Sequence, residues 1–187
     1  MTKTNIRNLI YCAIFAALTA VCSQISFPLP FTPVPINLAL LAVILAGGIL
    51  GPKWGAISQI VYLAVGSVGL PVFANLKGGI GVLLGPTGGY IIGYIAAAWL
   101  TGILLQRSNR GYFFYVISMA AGIAGCYLFG TAWYMFLTKS ALIPALTMCV
   151  VPFLIGDILK IAAASVLAKK LFPVLSKNLY RDSKLTV

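Results

Sequence analysis

Six apolar runs, roughly 9–27, 36–51, 54–72, 85–105, 112–137 and 145–168, take up most of this 187-residue chain. A helix rises about 1.5 Å per residue, so runs near 20 residues can cross a hydrocarbon core of about 30 Å. Lipid offers no hydrogen-bond partners, which restricts such runs to helical backbone. The composition leaves little else open, since 61% of the residues are apolar and 8% charged, against about 25% charged in soluble domains. A disordered, fibrous or nucleic-acid-binding chain is excluded, and the length leaves no room for a separate soluble catalytic or nucleotide-binding domain. The expected fold is an all-α integral membrane protein, with residues 1–187 as a single membrane domain of six transmembrane helices. The second run, about 16 residues long, is marginal for a full crossing. Gly51-Pro52-Lys53 separates it from the third, which predicts a short or tilted helix followed by a tight turn.

The net charge of +11 comes from thirteen Lys and Arg against two acids. These cations lie almost entirely between the apolar runs or at the chain ends, the distribution of topology determinants. With the amino terminus in the cytoplasm, Lys3, Arg7, Lys53, Arg107, Arg110, Lys169, Lys170, Lys177, Arg181 and Lys184 face inward, and only Lys77 and Lys139 outward. Both termini are then cytoplasmic, and the first and third loops face out. Lys160, inside the sixth run, has no place in this scheme. Lys3 and Arg7 ahead of an apolar stretch also suggest a secretory signal, but five further spans follow, and the run is read as an uncleaved first helix.

Histidine is absent, which removes the commonest metal ligand and the usual general base near neutral pH. Cys12, Cys22, Cys126 and Cys149 show no C-x-x-C pairing, so neither a zinc site nor a disulfide framework is expected. The glycine-rich string from Gly78 to Gly89 lacks the Gly-Lys-Ser/Thr ending of a phosphate loop, and any ATP-driven step must belong to another polypeptide. No Ser-His or Cys-His arrangement can be built, so an enzyme is not expected.

The remaining chemistry is concentrated in the sixth run, where Asp157 is the only acid within a span and Lys160 follows three residues later. Residues at that spacing share a helix face, and charges inside a membrane normally face the protein interior or a water-filled cavity. The pair reads as a ligand site, as a self-neutralising structural ion pair, or as part of a proton relay, although no second membrane acid exists to pass a proton onward. As a ligand site it offers a carboxylate that accepts N–H groups and an ammonium that donates to a carbonyl. A cyclic urea fits this polarity, as would an amide, or a carboxylate bound through Lys160 alone.

Two loops flank the runs on the outer side. Residues 28–35 contain Pro28, Pro30, Pro33 and Pro35 and must be extended and stiff, whereas residues 74–81 are glycine-rich and supply backbone donors. They are either rim and lid of an outward pocket or plain connectors. Phe31, Phe73, Tyr90 and Tyr94 suit an apolar pocket wall or interfacial anchors. Small residues recur at four-residue spacing, as Ala13 with Ala17 and Ala16 with Ala20 on helix one, and as Gly85, Gly89, Gly93 and Ala97 on helix four. Such faces allow close helix contact in lipid, within the bundle or, for helix one, against a separate membrane subunit.

Four motifs occur together: Phe31-Thr32-Pro33-Val34-Pro35-Ile36, the stretch LAVGSVGLPVFA from Leu63 to Ala74, Leu84-Gly85-Pro86-Thr87-Gly88-Gly89-Tyr90, and Gly156-Asp157-Ile158-Leu159-Lys160. On this combination the chain resembles, over essentially all six runs, the BioY family, the biotin-specific substrate-binding S components of energy-coupling-factor (ECF) vitamin transporters. The resemblance implies the S-component fold in a prokaryotic plasma membrane. It also implies high-affinity capture of biotin from outside, without a cofactor, in a pocket bounded by the outer halves of helices four to six and closed by the first and third loops. It assigns Asp157 and Lys160 to the ligand, in agreement with a carboxylate on the ureido N–H groups and an ammonium on the ureido carbonyl. The valerate carboxylate is then expected towards the loops, where Asn75, Lys77, Gly78, Gly79, Thr87 and Tyr90 offer donors, with Phe31, Val34 and Phe73 among the ligand-binding residues. Ala13 and Ala17 match the surface by which S components dock on the transmembrane T component, whose two cytoplasmic ATPases drive uptake while the S component topples in the membrane. The chain departs from the family pattern at Asn75-Leu76-Lys77, where smaller, glycine-rich residues are expected. The alternatives are the same fold with another small vitamin-like ligand, a stand-alone proton-coupled carrier using Asp157, or a scaffold without a ligand.

Overall fold

The computed structural model describes residues 3–179; Arg181, Asp182 and Lys184 lie outside the described residues. In chain order the elements are α1 (Lys3–Gln24), β1 (Ser26–Phe27), β2 (Ile36–Asn37), α2 (Ala39–Ser67), a 3-10 turn (Ala74–Leu76), α3 (Ile80–Leu84), α4 (Gly88–Gln106), α5 (Tyr112–Thr138), α6 (Leu142–Cys149), a second 3-10 turn (Val151–Phe153) and α7 (Leu154–Leu179). The segments Ile6–Gln24, Ala39–Ser67, Gly88–Gln106, Tyr112–Thr138 and Leu142–Ser176 are long and apolar enough to cross a membrane.

One of these is a hairpin of two helices. Gly51 in α2 has φ 79° and ψ −177°, and Pro52 follows it, so the helical hydrogen-bond ladder stops and the chain reverses. A Cβ on Gly55 would stand 2.9 Å from the Cα of Gly47, whereas residues eight apart on a straight helix are separated by about 12 Å. The second and third apolar runs are these antiparallel limbs, 39–50 and 52–67. The first limb rises only about 18 Å, and nearly every residue from Ala39 to Gly51 is buried. A helix apolar on all sides is stable where protein surrounds it, so this limb is the central pillar and meets almost no lipid.

The other elements close on that pillar through bare backbone. Gly47 leaves no room for a Cβ against the Ala98 carbonyl of α4, and Gly102 of α4 sits in the same way against the Gly51–Pro52 turn. On the other side of α4, Gly89 faces Trp133 and Gly93 faces Cys126 of α5, so the small face of this helix is used for internal packing. On α1 the two small faces divide: Ala16 is buried, whereas Ala13 and Ala17 are exposed along the outward side with Ile10, Ile14 and Val21.

Three stretches differ from the apolar-run reading. Helix one ends at Gln24, and Ser26 and Phe27 pair antiparallel with Asn37 and Ile36, so the Pro-rich loop is the tip of a two-stranded hairpin. The third run stops at Ser67, because Gly69 (φ 108°) takes a conformation foreign to the helix. The sixth run is not continuous. Pro152 cannot donate a backbone N–H and Val150 leaves the helical region (φ −126°, ψ −56°), so the segment becomes α6, a 3-10 turn and α7. That break makes Asp157 part of the first turn of α7.

The glycine contacts generate a prediction. Gly47→Ala should cost about 1–3 kcal/mol through overpacking against backbone, whereas Gly81→Ala, where a Cβ meets nothing within 4 Å, should be neutral. Thermal unfolding in detergent checks this, with a melting temperature lower by roughly 2–10 °C for the first variant only.

Candidate ligand-binding site

At the start of α7, Leu154, Ile155, Ile158 and Leu159 are exposed, and Asp157 and Lys160 take the side turned into the bundle. Asp157 is 3% and Lys160 7% exposed, and Lys160 Nζ lies 2.8 Å from Asp157 Oδ1. The other carboxylate oxygen accepts a hydrogen bond from the Tyr127 hydroxyl of α5. Proximity to a helix N-terminus adds further stabilisation to the carboxylate. Each oxygen therefore has one protein donor and still has acceptor capacity, while the ammonium has two N–H groups beyond the one given to Asp157. Full burial of such a pair costs more than its attraction returns unless further hydrogen bonds complete it.

The free capacity faces a cavity with two chambers. The deep one, about 50 Å³, is lined by Asp157, Lys160, Tyr127, Cys126, Cys149 and Phe153, among others. The outer one, about 190 Å³, lies under the loops and is lined by Ser23, Thr32, Phe73, Asn75, Lys77 and Thr87, among others. Val34, Pro35, Asn37, Tyr90 and Tyr94 border both chambers and form the neck between them. Tyr90 and Tyr94 stand one turn apart on α4. The Tyr90 hydroxyl is held by Thr131 Oγ1 at 3.1 Å, and its ring meets Tyr127 edge-on at 6.4 Å. Asn37 Oδ1 accepts the Ala39 N–H at 3.1 Å at the entrance to α2, which fixes the side chain beside both chambers.

Asp157, Lys160 and Tyr90 thus line the deep chamber, and Val34, Phe73, Asn75, Thr87 and Tyr90 the outer one. Three expected residues are not brought to the cavity. Phe31 is 55% exposed and turned outward, and the neighbouring Thr32 lines the wall instead. The Gly79 amide is spent on the Gly66 carbonyl at 2.7 Å. Gly78 is wedged against the Leu70 carbonyl with no space for a Cβ, so it serves to close the loop on itself. Sequence reasoning missed Tyr127 and Asn37. Their only signals are a polar-tipped aromatic inside an apolar helix, whose hydroxyl needs a partner, and a lone Asn at the mouth of a buried run. Among the described residues no group of His, Cys, Asp and Glu could hold a metal ion.

Bundle and cavity define a polytopic membrane protein with a pocket between its helices and loops. The structure matches a crystal structure of the S-component for biotin from an ECF-type ABC transporter with a TM-score of 0.83 and 32% identity, over 91% of this chain and 94% of that one. The model of the BioY family matches residues 1–177. The biotin transporter BioY of Thermotoga maritima is 38% identical over 165 residues, 88% of this chain and 95% of that protein. The probable biotin transporter BioY of Pyrococcus horikoshii is 41% identical over 162 residues, 85% of this chain and 92% of that protein. The chain belongs to the BioY family.

The buried pair separates stability from binding. Lys160→Met alone should strand the Asp157 carboxylate and destabilise the protein by about 3–5 kcal/mol. Joint replacement by Asp157→Leu and Lys160→Met should restore a near-native melting temperature in detergent while leaving a site with no polar anchor.

Proposed function

We propose that this chain is the biotin-binding S component of an ECF-type transporter. The observation that carries the reading is the Asp157–Lys160–Tyr127 cluster lining a cavity that the loops border. The carboxylate takes the two ureido N–H groups, the ammonium donates to the ureido carbonyl, and a buried polar cluster that is incomplete alone is completed by ligand. The bicyclic ring then fills the neck between Tyr90, Tyr94, Val34 and Asn37. The valerate carboxylate extends into the outer chamber, where Asn75, Thr87 and Lys77 supply donors and Lys77 has no carboxylate partner among the described residues. Capture needs no cofactor.

The exposed Ala13 and Ala17 are the docking face for a transmembrane T component, which acts with two cytoplasmic ATPases to drive uptake. Small side chains there permit close contact that can be made and released. The bias of Lys and Arg supports cytoplasmic termini in the plasma membrane, with the cavity loops on the outside.

Titration calorimetry of biotin into the detergent-solubilised protein should give tight, near one-to-one binding. Asp157→Asn and Lys160→Ala should each weaken it at least tenfold, since a stranded buried partner costs about 1–3 kcal/mol or more. A folded wild-type protein that ignores biotin but binds another small vitamin would redirect the ligand assignment, and transport in liposomes without ATPases, driven by a pH gradient, would point to a proton-coupled carrier. Ala13→Leu with Ala17→Leu should leave biotin binding intact and abolish ATP-dependent uptake in cells that supply the partner subunits.

A further inference from the structure

The segment between α2 and α3 covers the outer chamber with Phe73, Ala74, Asn75 and Lys77. It is held in a conformation that Leu76 resists. Asn75 and Leu76 are successive left-handed residues, with φ 60° and 56°, a region costly for a branched apolar residue and cheap for glycine. Leu76 is 71% exposed, so packing of its side chain does not offset that strain. The residues beside it are instead tied to the last turn of α1. Gln24 Oε1 accepts the Leu76 N–H at 3.0 Å, and Gln24 Nε2 donates to the Phe73 carbonyl at 3.1 Å and reaches the Pro71 carbonyl at 3.3 Å. One side chain thus grips both sides of the loop, and its amide orientation is fixed by the N–H on one side and carbonyls on the other. Ser23 Oγ and the Tyr62 hydroxyl both reach the Val72 carbonyl, at 2.6 and 3.2 Å. Phe73, 1% exposed, anchors the base of the loop edge-on to Tyr62.

We infer that Gln24 is the positioning residue of the loop bordering the ligand cavity: its amide holds residues 71–77 over the outer chamber against the strain at Leu76, and so sets how long a ligand stays. It lies outside the Asp157–Lys160 cluster and acts only through the loop. The kinetic consequence rests on the biotin-binding reading, whereas the latch itself does not.

Two readouts separate these. Lys77 is exposed within the loop, so trypsin cleavage after Lys77 in the ligand-free, detergent-solubilised protein reports loop opening, with cleavage after Arg107 as the internal reference. Gln24→Ala should raise the Lys77 rate roughly tenfold relative to Arg107. Gln24→Glu, which keeps the acceptor for Leu76 but loses both donors, should fall between. Biotin dissociation, followed by chase with unlabelled biotin, should quicken by a similar factor, and adding Leu76→Gly to Gln24→Ala should recover part of the loss by removing strain. A purely structural role for Gln24 would lower the melting temperature without that recovery. Unchanged Lys77 cleavage in both Gln24 variants overturns the latch. Faster cleavage with unchanged biotin dissociation overturns its control over the ligand. If the wild-type protein binds no biotin, the functional reading has failed, and the cleavage ratio alone decides the latch.

Discussion

Helices already in lipid gain nothing further by excluding water, so the bundle depends on close backbone approach, and that approach depends on bare glycine surfaces around one buried hairpin. Gly51 turns the chain, Gly55 lets the second limb lie on Gly47, and Gly47 and Gly102 bring α4 against the pillar and its turn. Where helices approach this closely, dispersion contacts add up over the whole interface. The arrangement also sets the position of the cavity. The pillar begins directly after the Pro-rich hairpin, so Asn37 and Leu40 stand beside the deep chamber, and the docked α4 presents Tyr90 and Tyr94 from one face across from them.

Against this apolar background the Asp157–Lys160 pair is the one concentration of charge inside the described bundle. Its placement in the first turn of α7 follows from the proline break, which ends the preceding helix and lets α7 start within the apolar segment Leu142–Ser176. The pair is neutral as a unit, which makes burial bearable, and it is polar enough to discriminate by hydrogen bonding. Tyr127 completes one side of the carboxylate and leaves the cavity side as a set of acceptors next to a donor. A pocket of this kind presents acceptors beside a donor at one end, and the neck adds aromatic faces next to the Asn37 amide.

The outer end works by a different principle. Here the wall is a loop, and its position comes from hydrogen bonds to the end of α1 together with the burial of Phe73 against Tyr62. Such ties are individually weak and reversible, as a segment that admits a ligand must be. Glycine at position 76 would take the left-handed backbone without strain, and Leu76 requires an external hold.

The sequence by itself determined that the chain is a set of membrane helices, that Gly51-Pro52 breaks the second run from the third, and that Asp157 and Lys160 share a face. Each of these follows from local geometry and from the cost of bare polar groups in lipid, which no tertiary arrangement can change. The motifs likewise carried the family. Only the tertiary structure decided which polar tips meet. Tyr127 and Asp157 are 30 residues apart, Gln24 and Leu76 are 52 apart, and an apolar helix with almost no amphipathic bias does not reveal which side faces the cavity. It also set Phe31, Gly78 and Gly79 apart from the lining of the cavity, because whether a loop residue points inward, or spends its amide on a neighbour, depends on how the loop closes on the bundle. Spacing along the chain cannot record that closure, since it is set by contacts between segments that are distant in sequence.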